Sequence, residues 1–266
     1  MDADETLDRI DAALDDGRHD EAARLAGKAV RRFPDSPEAW GLLGEALEGL
    51  GDVGSAMRAF LKALELDPEW ATGHAHLAGL HLEMGELHQA SDRIEKAFDL
   101  DGTDPEANFA FAILCEITGE GETASRFYAA ASELDPDRFF PPTRVSMDRF
   151  EAMAAEAIDD LPEKVSAFIG DVPIIIEDLP GRDGSGRFVN DAPLLLGECI
   201  GDHREEAGAL DPLTCTPPRI MLYKLNLERA CVDEDELAEQ IRITVLHELL
   251  HFLGLDESEV SSRGLR

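Results

Sequence analysis

Aligned to itself at an offset of 34 residues, the chain repeats. Gly17, Gly51, Gly85 and Gly119 share one column. Ala22, Ala56, Ala90 and Ala124 share a second, and Ala29, Ala63, Ala97 and Ala131 a third. A fourth column reads Pro34, Pro68, Gly102 and Pro136. A unit this short cannot bury a core alone, so a periodic chain must stack like units on one another. Each Gly of the first column lies between two apolar-periodic stretches, as in "LEGLGDVGSAMRAF", and supplies the positive φ or tight turn between two helices. The two Ala columns fall seven residues apart on one face of the second helix, where small side chains let neighbouring helices approach. The Pro column ends that helix and starts the next unit. Larger apolar residues, among them Leu43, Leu47, Phe60, Leu77, Ile94, Phe98, Phe111 and Tyr128, fill the remaining face.

The length and the Gly, Ala, Ala, Pro columns resemble the tetratricopeptide repeat family. Four units follow, at 3–36, 37–70, 71–104 and 105–138, the first being the least typical, with Thr6 and Arg9 where the second carries Trp40 and Leu43. The resemblance implies an all-α solenoid that binds proteins or peptides on a concave face lined by the first helix of each unit. Here that face is expected to carry Asp4, Leu7, Asp8, Asp11, Glu38, Leu42, Glu45, Glu48, Phe109, Ile113 and Glu116. These positions hold no Lys or Arg, so the basic clamp with which some relatives grip a carboxylate terminus is missing. A basic or apolar ligand, or the protein's own second domain, is the expected occupant; the bare alternative is a spacer. His74, His76, His81 and His88 crowd the third unit. His74 and His81 share a face at i, i+7, too far apart for one metal without a further segment, so packing or surface roles are expected for them.

Charge narrows the partners. With 57 acidic against 24 basic residues, the formal net charge is −33. A phosphate backbone needs a basic face, so a nucleic-acid partner is not expected, nor is docking on anionic membranes. The acidic start, "MDADETLDRIDAALDDG", has no apolar core of signal-peptide type, and no run reaches the roughly 18 apolar residues that span a bilayer. Cys115, Cys199, Cys215 and Cys231 form no C-x-x-C pair and read as reduced thiols. The cytoplasm is the expected location.

"DPDRFFPPTRVSMDRF", residues 135–150, breaks the period, and Pro141 with Pro142 stops any helix. Phe139 and Phe140 suggest that the join docks. The expected division is 1–138 for the repeat array and 139–266 for a second, α+β domain. A helix with Phe150, Met153, Ala157 and Leu161 as its stripe opens it. "VPIIIEDLP", "PLLLGECIG" and "RIMLYKLNLER" read as strands, and "DEDELAEQIRITVLHELLHFLG" as a long helix started by Asp233 or Glu234 and ended by Gly254.

That helix carries the chemistry. His247 and His251 project from one face a turn apart, a spacing from which two imidazoles reach one Zn²⁺. Glu248, beside the first, can take a proton from an activated water and hand it to a leaving amine. The pattern is H-E-x-x-H. A third protein ligand is needed; Gly254 lets the chain turn back, and Glu257 falls three residues later, with Asp256 as the alternative. The bland reading is an amphipathic helix with two core histidines, which would leave Glu248 buried and unpaired at a cost.

Residues 147–262 resemble the bacterial minimal-zincin family of zinc metallopeptidases, through "DRFEAMAAEAIDDLPEKV", "VPIIIEDLP", "LLLGECIG", "RIMLYKLNLERAC" and "ITVLHELLHFLGLDE". The resemblance implies a small α+β zincin-like domain with His247 and His251 as ligands and Glu248 as catalytic base. Many relatives carry Asp at the third-ligand position, where this chain has Glu257. The expected activity is zinc-dependent hydrolysis of peptide bonds through a zinc-activated water, with the array recognising protein; the alternative is an interaction scaffold whose zinc site is structural or idle. Tyr223 is a weak candidate for stabilising an oxyanion and reads more readily as a packing residue.

Overall fold

The computed structural model describes residues 3–159, 172–182, 188, 192–201 and 219–250, with the backbone of 251–252. The chain divides into two compact units, Met1–Phe140 and Pro141–Arg266.

The first unit is four helical hairpins in the 34-residue register. They are α1 (Ala3–Asp15) with α2 (His19–Arg32), α3 (Pro37–Glu48) with α4 (Val53–Leu66), α5 (Ala71–Glu83) with α6 (Leu87–Leu100), and α7 (Pro105–Ile117) with α8 (Gly121–Leu134). The first-column glycines all adopt positive φ, between 68° and 86°. At Gly51 the turn is a Schellman motif: Gly51 N–H donates to Glu48 O and Asp52 N–H to Leu47 O, at 2.8 and 2.9 Å. Two hairpins are entered through a capped proline start. Ser36 and Asp104 accept from the amides of Ala39 and Ala107, with Pro37 and Pro105 in the first turn.

Both Ala columns are buried. Within the second unit two glycines make room for large rings: a methyl on Gly44 would lie 2.6 Å from the Phe60 ring, and one on Gly41 2.7 Å from Trp70. Aromatic packing continues down the stack, with Phe111 edge-on to Phe127 at 4.6 Å and to Phe98 at 5.8 Å. Phe139 closes the array against Phe109 at 5.1 Å, while Phe140 stays exposed.

The second unit opens with α9 (Met147–Asp159) and contains β1 (Ile174–Glu177), β2 (Gly197–Ile200), β3 (Arg219–Tyr223), α10 (Lys224–Arg229) and α11 (Glu234–Phe252). The sheet order is β1-β3-β2; β1 runs parallel to β3 and β2 antiparallel to it. Phe150, Met153 and Ala157 of α9 pack with Leu237, Ile241, Val245 and Leu249 of α11 and with Ile220 and Leu222 of β3. Leu161, the last residue expected in the α9 stripe, lies outside the described residues.

"RIMLYKLNLER" is a strand only as far as Tyr223; the remainder is helix α10. Tertiary polar contacts override the strand pattern there. Asn226 donates to the carbonyls of Pro193 and Leu195 at 2.9 and 2.7 Å. Glu228, fully buried, pairs with Lys224 one turn back and with Arg144 at 2.9 Å. It also accepts from Val145 N–H at 2.9 Å, while its own carbonyl accepts from Thr143 N–H at 3.0 Å. One carboxylate thus fixes the chain entering the unit to the helix that follows the central strand.

Candidate metal centre

The first turn of α11 is capped reciprocally. Asp233 accepts from Glu236 N–H and Glu236 accepts from Val232 N–H, each at 2.8 Å, and Glu234, Asp235 and Glu236 place negative charge at the positive end of the helix. Leu237, Ile241, Val245 and Leu249, four residues apart, make the buried stripe. Positions 247 and 251 fall off that stripe, one turn apart.

His247 is exposed and Glu248 half-buried. The Glu248 charge is felt by Cys199 on β2, whose thiol is pushed up to about 11 by burial first and by Glu248 second. Cys199 therefore stays a neutral thiol at neutral pH. The close approach of strand and helix has a visible cause: a methyl at Gly197 would lie 2.8 Å from both Met221 O and Thr244 Cγ2. Thr244 sits one turn before Glu248, so the bare glycine seats this stretch of α11 against β2. A glycine inside a strand pattern signals such an approach, and Gly197 in "LLLGECIG" is where sequence reasoning could have found it.

Tyr223 packs. It is buried, its hydroxyl donates to Glu198, and strand alternation puts both on the sheet face opposite the α9–α11 core. Burial and then the Glu198 contact raise the phenol well above its ordinary value.

The donor types and the helical spacing fit a divalent ion at positions 247 and 251. The His251 side chain, Gly254, Asp256 and Glu257 lie outside the described residues. Among the described residues no group of three His, Cys, Asp or Glu is arranged to hold a metal ion.

The third-unit histidines take structural places. His74 Nε2 lies 3.2 Å from Pro68 O, His81 pairs with Glu86 at 2.6 Å, and His88 is exposed beside Asp92. His76 alone is buried among carboxylates. No helix among the described residues is long and apolar enough to cross a membrane.

Comparison with known proteins finds a match in each half of the sequence. Residues 169–265 match the zincin-like metallopeptidase family and residues 7–69 the tetratricopeptide repeat. The Hsp70-Hsp90 organizing protein of Triticum aestivum is 31% identical over 99 residues, covering 37% of this chain and 17% of that protein. The protein O-mannosyl-transferase TMTC3 of Homo sapiens is 31% identical over 140 residues, covering 50% and 15%. The chain thus spans less than a fifth of either curated relative. Among solved structures, a thermophilic TPR protein of Thermus thermophilus is 23% identical with a TM-score of 0.45, over 52% of this chain and 76% of that one. The chain joins a tetratricopeptide repeat region to a zincin-like metallopeptidase domain.

Proposed function

We propose that the protein is a zinc-dependent peptidase whose repeat array recruits a protein substrate. The observation that carries the reading is α11 itself: His247 and position 251 stand one turn apart off the buried stripe, and Glu248 beside them is held against β2. His247, His251 and Glu257, with Asp256 as the alternative to Glu257, would hold the ion. A zinc ion held there would supply Lewis acidity toward a carbonyl and toward water. Glu248 would take a proton from water on its carboxylate and return it to the leaving amine. Among the described residues β2 pairs only with β3, so its other edge offers backbone groups to an extended substrate strand, next to the helix that bears Glu248.

Glu248→Gln should retain about one zinc per chain and lose peptide hydrolysis by about 10²–10⁴-fold; His247→Ala should lose both. Measuring metal content and cleavage on the same preparations tests this. Unchanged cleavage by Glu248→Gln removes the assigned base.

A second reading, a protein-interaction scaffold, draws support from a cavity on the array lined by Asp11, Asp15, Glu45, Glu48, Asp135 and Asp137. In that case Glu248→Gln leaves partner capture and cellular role intact, and the array carries the function.

A further inference from the structure

The array holds a cavity of about 630 Å³ lined by carboxylates from three stretches of chain: Asp11 and Asp15 of α1, Glu45 and Glu48 of α3, and Asp135 and Asp137 after α8. His76 and Arg138 line it too. The His76 ring stacks on Phe60 at 4.6 Å and 7°, with its side chain only 4% exposed. Nδ1 lies 3.0 Å from Glu48 and Nε2 3.8 Å from Glu45. The first contact is an ion pair without hydrogen-bond alignment and the second is too long, so both ring nitrogens are buried with no hydrogen-bond partner. Arg138, in the turn after α8, reaches Glu106 at 3.3 Å. Burial raises both Glu45 and Glu106 above the ordinary carboxylate value.

Two cations do not balance this wall. The carboxylates are short of positive charge, and the buried imidazole beside them has no aligned hydrogen bond. A cationic side chain that enters the cavity supplies the missing charge. Arg138 already shows a guanidinium seated against Glu106.

We infer that this cavity binds an arginine or lysine side chain of a peptide. The inference names the partner chemistry for the recruiting role proposed above and rests on that reading, but binding needs no metal. It narrows the expected basic or apolar ligand to a basic one.

The test titrates the full chain, freed of metal by chelation, with the blocked peptide acetyl-Gly-Ala-Arg-Ala-Gly-amide while the His76 imidazole resonances are followed by NMR. A saturable shift is expected. The same peptide with citrulline, neutral but of like shape, should bind about tenfold more weakly or worse. Glu45→Gln/Glu48→Gln should weaken the arginine peptide by about tenfold, whereas Asp20→Asn/Glu69→Gln, an equal charge change on exposed surface, should leave it within about twofold. Equal binding of the citrulline peptide marks an apolar surface and overturns the inference, as does a shift that survives the paired Glu substitutions, or no shift. The citrulline comparison uses only the wild-type chain, so it stands even if a variant misfolds. Because metal is absent, failure of the peptidase reading appears in the cleavage assay and not here.

Discussion

The repeat array closes its turns with glycine at positive φ and packs its helices through columns of alanine, whereas the C-terminal unit hangs much of its chain on one buried carboxylate. In the array each local device recurs four times, so no single one is decisive. In the C-terminal unit Glu228 ties Lys224, Arg144 and the amide of Val145 together once. Redundancy and singularity should therefore show as different sensitivities to substitution.

The sharpest break is Glu228→Ala. Removing one member of a buried ionic cluster strands Lys224 and Arg144 and should cost about 3–5 kcal/mol, confined to the C-terminal unit. Both tryptophans, Trp40 and Trp70, lie in the array. Tryptophan emission during urea unfolding should accordingly be unchanged while the remaining circular-dichroism transition weakens; a matching loss in both signals would mean that the halves are not independent in stability.

A smaller effect tests the array's own exception, the buried His76. Burial alone would depress this imidazole, but the charges of Glu106, Glu48 and Glu45 outweigh it and push it up to about 9. A raised folded pKa stabilises fully below the ordinary 6.5 and loses that contribution as pH rises through about 9. Glu45 and Glu106, also raised, act in the same direction, losing their contribution above their ordinary range. Array stability read by tryptophan emission should fall between pH 6.5 and 9, by at most about 3 kcal/mol from His76, and His76→Gln should flatten the profile. A profile that rises with pH would refute the sign.

The smallest effect separates conformation from space. A methyl on Gly119 or on Gly121 meets nothing within 4 Å, but only Gly119 has positive φ, 86°. Gly119→Ala should destabilise by about 1–2 kcal/mol, and Gly121→Ala, at the start of α8, should stabilise by about 0.5–1 kcal/mol. Equal effects would show that the columns reflect packing and not turn geometry.

These contrasts explain what could be read beforehand. The first helices of the four hairpins start at 3, 37, 71 and 105, at the register implied by the glycine and alanine columns, because a period leaves the same mark several times. The H-E-x-x-H stretch was legible because helical spacing alone puts positions 247 and 251 together. The Glu228 cluster was not, since residues more than 80 positions apart in sequence leave no periodic trace, and "KLNLER" beside a strand pattern reads as more strand. Arg138 was missed for a related reason: the expected lining came from the first helix of each unit, whereas this cation enters from the turn after the last helix of the array. His76 was read with its neighbours as packing or surface, and its burial does bear out packing. Its carboxylate surroundings come from α3 and α7, which no local pattern connects.

Gly197 has a consequence for anyone who would retune the C-terminal unit. The absent side chain works as a feeler gauge: it sets the clearance between an edge strand and the helix that bears Glu248. Any side chain added at residue 197 has to push the strand and the helix apart together, because Met221 O and Thr244 Cγ2 both stand 2.8 Å from its first carbon.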